Sequence, residues 1–144
     1  MMVGHDVPED RYYTRTHEWV KLEDGKAKIG LTSYAVEELG DITYVEIRPI
    51  GTSVNQGDEI GFVESSKTTE KIYSPVSGVI SEVNEEVGVV TEGSEEIPMG
   101  LEAISEDPYG KGWLAILEVR DDVKEEMKNL LSSDEYRKLL EEHH

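Results

Sequence analysis

The stretch from Ile60 to Gly78 constrains the fold more than any other part of the chain. Apolar residues stand on both sides of a short polar segment centred on Lys67, and a Ser-Pro-Val-Ser-Gly sequence ends the stretch. This pattern, with turn residues at both ends, is typical of two strands joined by a tight turn. We therefore expect a β-hairpin that carries Lys67 at its tip, between the small side chains of Ser66 and Thr68.

Other short segments have the same strand-and-turn pattern. Asp24-Gly25 is a hairpin turn signal, and Thr32 or Ser33 can cap a short helix near residues 33–39, which Gly40 ends. Further strands are expected at 19–22, 27–31, 42–47, 79–83 and 113–119. Many short strands with frequent turn signals predict a mainly β fold, a sandwich or flattened barrel.

The C-terminal part of the chain has a helical pattern instead. In the segment 121–142, Val123, Met127, Leu130 and Leu131 follow a helical period, and Ser132-x-x-Glu135 is a capping box that restarts the helix. We expect a C-terminal helical segment that packs on the β fold.

The remaining segments are less regular. Residues 1–10 are polar and indicate a loose N-terminal arm, so that 11–144 form a single domain. The stretch 85–106 contains Gly88, Gly93, Pro98 and Gly100, which favour a loop, although Val89-Val90 can form a brief strand. His143-His144 is either native or the remainder of a purification tag.

Composition excludes several classes of function. The chain has 32 acidic and 14 basic residues and a formal net charge of −18. This charge disfavours binding to nucleic acid and to anionic membranes. There is no cysteine, so thiolate metal sites and thiol nucleophiles are absent. No apolar run is long enough for a membrane span and no signal peptide is visible, so we expect a cytoplasmic protein.

The residues by themselves leave two interpretations of Lys67. A lysine at a hairpin tip commonly keeps the turn soluble, but an exposed amine with small neighbours on a rigid turn also suits the attachment of a prosthetic arm. His17-Glu18 has no second histidine at ligand spacing, so a metal site is disfavoured. We find no self-sufficient active site, hence no catalytic and no metal-binding residue.

Several motifs in order resemble the glycine cleavage system H protein, a lipoyl carrier family. The hairpin residues Glu64-Ser65-Ser66-Lys67 with Tyr73-Ser74-Pro75-Val76-Ser77-Gly78 resemble its lipoyl-lysine hairpin. The matching blocks elsewhere are Thr16-His17-Glu18-Trp19-Val20, Ile29 to Ala35, Leu39-Gly40-Asp41-Ile42 and Asp107 to Leu114. Several motifs in register are far more specific than one.

The resemblance implies a biotinyl/lipoyl-type β sandwich and a carrier protein rather than an enzyme. It implies lipoic acid attached to Lys67, Thr16 and Glu18 in the cleft that receives the arm, and Glu64 in recognition by the lipoylating enzyme. It implies as partners a pyridoxal-phosphate-dependent glycine decarboxylase, a tetrahydrofolate-dependent aminomethyltransferase, dihydrolipoyl dehydrogenase and a lipoate ligase or lipoyl transferase. By this resemblance, a monomer carries the aminomethyl group of glycine in one-carbon metabolism.

Some positions depart from the family pattern and leave alternatives open. Lys71 stands where the family often has an acidic residue, although Glu70 is next to it, and Ser66 and Thr68 replace residues that are usually aliphatic. The 85–106 stretch is longer than we expect in the family. A divergent carrier for lipoate relay or for another lipoate-dependent pathway is therefore the alternative. A biotin carrier, whose lysine usually lies between methionines, and an unmodified binding module are weaker candidates.

Overall fold

The computed structural model describes residues 6–142, and the C-terminal His143-His144 lies outside this range. The described chain forms two β-sheets with short helices between and beside them. The strands are β1 Tyr12–Tyr13, β2 Glu18–Glu23, β3 Lys26–Leu31, β4 Ile42–Ile47, β5 Ser53–Val54, β6 Glu59–Ser65, β7 Thr69–Tyr73, β8 Gly78–Val83, β9 Val90–Thr91 and β10 Ala115–Glu118. The helices are α1 Ser33–Leu39, α2 Glu102–Glu106, α3 Val123–Met127 and α4 Ser133–Glu142.

The two sheets pack as a flattened sandwich. One sheet has the strand order β1-β2-β3-β10-β8-β5 and the other has the order β7-β6-β4-β9. The main core contains buried residues of both sheets, among them Ile29, Ile47, Ile72 and Leu117, each 0% exposed. The prediction of a mainly β sandwich is confirmed, and the apolar run near residues 113–119 provides the strand β10 between β3 and β8.

The local signals explain the tight connections. Asp24 and Gly25 both have positive φ angles, 51° and 75°, in the turn between β2 and β3, as a two-residue hairpin loop requires. Helix α1 begins after Thr32, whose side chain accepts a hydrogen bond from the Ala35 amide, and ends at Gly40 with φ of 78°. These boundaries agree with the predicted ones.

The 85–106 stretch is more ordered than its glycines indicate. It contains a 3₁₀ turn at Glu85–Val87, the strand β9 and the helix α2. Strand β9 pairs in parallel with β4 at the edge of the smaller sheet, so the brief strand expected at Val89-Val90 is present one residue later. Leu101 and Ile104 are buried, and burial of these two side chains stabilises α2 against the propensity for loop.

The C-terminal segment forms two helices, and the second one begins at the predicted capping box. Helix α3 ends at Met127, and Leu131, which we expected within it, exchanges backbone hydrogen bonds of 2.8 and 2.9 Å with Tyr13. The capping box is present: the Ser132 amide donates to the Glu135 carboxylate at 2.9 Å, and the Glu135 amide donates to the Ser132 hydroxyl at 3.2 Å. Helix α4 begins there.

A second apolar cluster joins α4 to the N-terminal segment. Its buried members are Val7, Tyr13, Trp19, Tyr136 and Leu140. Val7 is only 6% exposed, so the described part of the expected loose arm is held by packing. Within residues 6–142, no helix combines the length and the apolar character needed to cross a bilayer.

Candidate functional site

The tip between β6 and β7 is a rigid turn with Lys67 exposed on it. The hydroxyl of Ser65 accepts hydrogen bonds from the amides of Lys67 and Thr68, both at 3.2 Å. The Ser65 amide donates to the Thr68 carbonyl at 2.8 Å, and the Ser66 amide donates to the Asp41 carbonyl at 2.9 Å. The turn is thus closed on itself and fastened to the segment that follows α1.

The side chain of Lys67 lies over Gly40, at the end of α1. A methyl group placed on Gly40 would come within 3.2 Å of Lys67 Cε and 3.6 Å of Nζ. The glycine therefore provides room for the lysine stem, in addition to the positive φ that ends the helix. The aliphatic stem is supported while the amine stays open to approach.

A cleft of about 740 Å³ opens beside the tip. One side is formed by the loop before β2 and by α1, and the other by β7 and the end of the hairpin turn. Its apolar lining residues are Leu31, Ala35, Leu39 and Val63, and its polar ones are Arg15, Thr16, His17, Glu18, Tyr34, Glu38, Thr68, Thr69, Glu70, Lys71 and Tyr73. The volume is in the range of small-molecule sites, about 300–1,000 Å³.

Glu18 is the buried charged group of this cleft. It is 1% exposed, and its carboxylate accepts hydrogen bonds from the hydroxyls of Thr14 and Thr16, both at 2.5 Å. The Tyr73 amide donates to its other oxygen at 3.1 Å. Burial raises the pKa of Glu18 to about 7, and the hydrogen bonds from the threonines and Tyr73 oppose this shift. Glu18 thereby joins the loop before β2 to the β7 strand of the hairpin.

His17, Glu70 and Lys71 also belong to the lining of the cleft. His17 has a φ of 72°, and its Nδ1 lies 2.7 Å from the hydroxyl of Tyr136 on α4. The Lys71 ammonium lies 3.8 Å from a Glu59 carboxylate oxygen on the neighbouring strand. Glu70 accepts a hydrogen bond from the Thr68 hydroxyl at 3.2 Å. The lining segments thus carry two basic residues, Arg15 and Lys71, and three acidic ones, Glu18, Glu38 and Glu70.

The structure brings most, but not all, of the predicted site residues to one place. Thr16 and Glu18 line the cleft, and Lys67 precedes the lining residue Thr68. Glu64 lies three residues before Lys67 on β6 and is half-buried, next to the buried, cleft-lining Val63. Because successive side chains of a strand point to opposite faces, Glu64 points away from the cleft.

Sequence reasoning missed three contributors to the site. Thr14 precedes Thr16 and Glu18 in a run of hydrogen-bonding residues, which is a usable signal. Tyr34 and Tyr136 give no such signal, because each comes from a helix and Tyr136 lies 119 positions from His17.

Comparisons with known proteins identify the family. The model of the family "Glycine cleavage H-protein" matches residues 11–143. A probable glycine cleavage system H protein of Korarchaeum cryptofilum is 58% identical over 139 residues, covering 96% of this chain and 99% of that protein. The glycine cleavage system H protein of Carboxydothermus hydrogenoformans is 43% identical over 94% of this chain and 95% of its own length.

A solved structure agrees with these sequence matches. The crystal structure of a glycine cleavage system H protein from Mycobacterium marinum superposes with a TM-score of 0.73 at 35% identity, covering 90% of this chain and 95% of that one. The two structures therefore agree over nearly the whole length of both chains. The chain belongs to the glycine cleavage H-protein family.

Proposed function

We propose that this chain is a lipoyl carrier that moves the aminomethyl group of glycine, with lipoic acid in amide linkage to Lys67. The observation that carries the proposal is the placement of one exposed amine on a closed hairpin turn directly beside a cleft of about 740 Å³. A rigid tip presents the amine to a modifying enzyme, and the cleft offers the loaded arm a place to dock.

The residues present fit such an arm. The lysine stem passes over Gly40, where a side chain would crowd Cε. Leu31, Leu39 and Val63 give the cleft an apolar wall for a hydrocarbon chain, and Thr16 and Glu18 add hydrogen-bonding groups below it. When bound, lipoate supplies a dithiolane that takes up the aminomethyl group as its disulfide is reduced, and is later reoxidised.

The contribution of the chain itself is positioning and shelter. Hydrogen bonds from Thr14, Thr16 and the Tyr73 amide fix the carboxyl group of Glu18 in the wall of the cleft. The apolar wall excludes water from whatever docks against it. Tethering to Lys67 keeps the cargo at a high effective concentration for successive partners.

The proposed partners follow from family membership. They are a pyridoxal-phosphate-dependent glycine decarboxylase, a tetrahydrofolate-dependent aminomethyltransferase, dihydrolipoyl dehydrogenase and a lipoate ligase or lipoyl transferase. The carboxylates Glu38, Glu64 and Glu70 around the tip favour basic docking surfaces on these enzymes. Glu64, which faces away from the cleft, is in a position to contact the lipoylating enzyme. We further propose that the carrier acts in the cytoplasm.

The first test is modification of Lys67. The purified chain is incubated with a lipoate ligase, ATP and lipoate, and the intact and peptide masses are measured. One lipoyl group confined to Lys67 is expected, with none on Lys67→Arg, which keeps the charge and removes the amine. An unmodified wild-type chain contradicts the proposal.

Lys71 favours a second candidate, a carrier for another lipoate-dependent pathway. Lys71 belongs to the cleft-lining segment of β7, and its positive charge would repel a cationic cargo unless the ion pair with Glu59 holds the ammonium aside. Glycine–bicarbonate exchange, measured with the lipoylated chain, decarboxylase and cofactor, separates the two candidates. Exchange above that of the Lys67→Arg chain supports glycine cleavage, and modification without exchange supports the other pathway.

A further inference from the structure

The loop before β2 is held in a conformation that it does not favour by itself. His17 has a φ of 72°, a left-handed backbone conformation that costs a non-glycine residue about 1–2 kcal/mol. Its amide donates to the Thr14 carbonyl at 3.2 Å, which closes a tight turn. This turn sets the direction of Glu18, so a contact that fixes His17 also fixes the buried carboxyl group of the cleft.

Tyr136 on α4 makes such a contact. Its hydroxyl lies 2.7 Å from His17 Nδ1 and also 2.7 Å from the Thr32 hydroxyl. Thr32 is fully buried and caps α1 through the Ala35 amide. One hydroxyl therefore joins the loop before β2 to the beginning of α1, and both of these segments line the cleft.

Among the described residues that line the cleft, none comes from helix α4, so the action of this helix there is indirect. Tyr136 is fully buried and stacks on Tyr13, with ring centroids 4.8 Å apart. Arg137 donates to the Val7 carbonyl at 2.7 Å. These contacts hold the Tyr136 hydroxyl in place relative to β1 and the N-terminal segment.

We propose that Tyr136 is a positioning residue of the arm cleft, which acts through His17 and Thr32 to hold Glu18 and α1 in the arrangement that receives the arm. This inference rests on the proposed function, because the arm is what the cleft receives. The link that Tyr136 makes between the loop before β2 and helix α1 is a property of the unmodified chain, so it can be measured without the arm.

The test compares Tyr136→Phe with Tyr13→Phe. Both substitutions keep an aromatic ring in the same stacked pair and remove one hydroxyl, but the Tyr13 hydroxyl donates to the Pro8 carbonyl and does not contact the cleft. A merely structural role of the cluster predicts the same outcome for both variants.

The first readout is backbone amide exchange of residues 15–18 and 33–36, together with the amide proton shift of Tyr73, which reports its bond to Glu18. We expect Tyr136→Phe to speed exchange in both segments about five- to tenfold, as the loss of about 1 kcal/mol of hydrogen bonding implies. The Tyr73 amide proton moves upfield in the same variant. Tyr13→Phe leaves all three signals unchanged.

The second readout is the lifetime of the aminomethyl-loaded arm in water, measured by release of formaldehyde. We expect a lifetime shortened several-fold in Tyr136→Phe alone. Equal changes in the two variants, or unchanged exchange in Tyr136→Phe, overturn the proposal. If Lys67 takes no lipoate, only the proposed function fails, since the exchange readout still decides the coupling.

A variant at the other end of the contact covers the case in which Tyr136→Phe does not fold. His17→Asn removes the ring that meets the Tyr136 hydroxyl, and asparagine tolerates the left-handed backbone of this position. Faster exchange at residues 33–36 in this variant is the expected result. Unchanged exchange there contradicts a link between the two segments.

Discussion

Two residues of the site are unusual: Glu18 because its carboxyl group is buried, and Gly40 because of its backbone conformation. Glu18 carries a carboxyl group that is 1% exposed, and Gly40 has φ of 78° and ψ of −141°, a region essentially restricted to glycine. Hydrogen bonds from Thr14, Thr16 and the Tyr73 amide compensate for the burial of Glu18, and the absence of a side chain lets Gly40 adopt its conformation beside the lysine stem. Substitutions at these two positions therefore have defined effects on stability and, at Gly40, on the lysine.

The raised pKa of Glu18 makes stability depend on pH in a defined direction. The folded pKa is about 7, against an ordinary value of 4.5, so the folded protein binds more protons between these values. The contribution to stability is full below about pH 4.5 and is lost as the pH rises through about 7. Relative to Glu18→Gln, we expect the free energy of unfolding of the wild type to fall by about 3 kcal/mol over this range, at about 1.4 kcal/mol per pKa unit.

Urea denaturation at a series of pH values measures this difference. Glu38→Gln is the matched control, since it removes a carboxyl group that also lines the cleft but is exposed. Parallel profiles for the wild type and Glu18→Gln would show that the carboxyl group titrates normally.

Gly40→Ala is expected to impair both the helix end and the lysine. The backbone conformation costs about 1–3 kcal/mol for a residue with a side chain, and the new methyl group would lie 3.2 Å from Lys67 Cε. We expect lower stability and slower lipoylation of the remaining folded protein, followed by mass spectrometry over time.

Gly25→Ala is the control for this substitution. Gly25 has φ of 75°, and a methyl group added there would have no described atom within 4 Å beyond its chain neighbours. The control therefore carries the backbone cost without the contact to the lysine. Equal lipoylation rates in the two variants argue against support of the lysine by Gly40.

Among the elements, α4 shows most clearly how a local sequence signal, the capping box, positions a side chain for a contact far away in the sequence. The capping box fixes where the helix begins, and this register places Tyr136 and Leu140 on its buried face. The hydroxyl of Tyr136 then reaches His17 and Thr32. A shift of the helix start by one residue would turn Tyr136 by about 100° and break both contacts.

The capping box is testable by a double-mutant cycle. Ser132→Ala and Glu135→Ala each remove one side of a reciprocal pair, and each is expected to cost about 1 kcal/mol of unfolding free energy. The double variant should cost less than the sum of the two, because the two hydrogen bonds support each other and each single variant already weakens both. Additive costs in chemical denaturation would mean that the two hydrogen bonds are energetically independent.

At the scale of the whole molecule, the stretch 85–106 is part of the sandwich rather than an appended loop. Strand β9 extends the smaller sheet by pairing with β4, and Ile104 on α2 belongs to the main core at 0% exposure. The tip of the same stretch is different, since Ile97 is 85% exposed. The stretch is therefore divided between core and surface.

This division predicts opposite results for one type of substitution. Ile104→Ala should lower the unfolding free energy by about 2–5 kcal/mol through the lost burial and the cavity it leaves. Ile97→Ala should change it by no more than about 0.5 kcal/mol. Thermal and urea denaturation compare them directly, and a small effect of Ile104→Ala would indicate that α2 detaches from the core without unfolding the rest.

Some expectations remain predictions at this scale. Lipoylation of Lys67, the role of Glu64, the partner enzymes, the monomeric state and the cytoplasmic location all follow from the motifs and the family. Incubation with a lipoate ligase, followed by mass measurement, decides whether Lys67 is lipoylated and therefore whether the chain is a lipoyl carrier.

The sequence by itself determined the longer strands, the hairpin with Lys67 at its tip, the caps of α1 and α4, and the family, but not the two-residue strands β1 and β5. These features depend on neighbouring residues: strand alternation, Asp24-Gly25 for a turn, Thr32 and Gly40 at the ends of a helix. Such signals are readable because the physical causes are local in the chain.

Only the tertiary structure decided that Glu18 is buried against the Tyr73 amide, that Lys67 lies over Gly40, and that Tyr136 meets His17. Each of these contacts joins segments far apart in sequence, and no local propensity encodes it. The burial of Leu101 and Ile104 likewise overrode the glycines of their stretch, because apolar area removed from water outweighs a weak preference for loop. The pKa of Glu18 depends on this same packing, since burial is its largest cause.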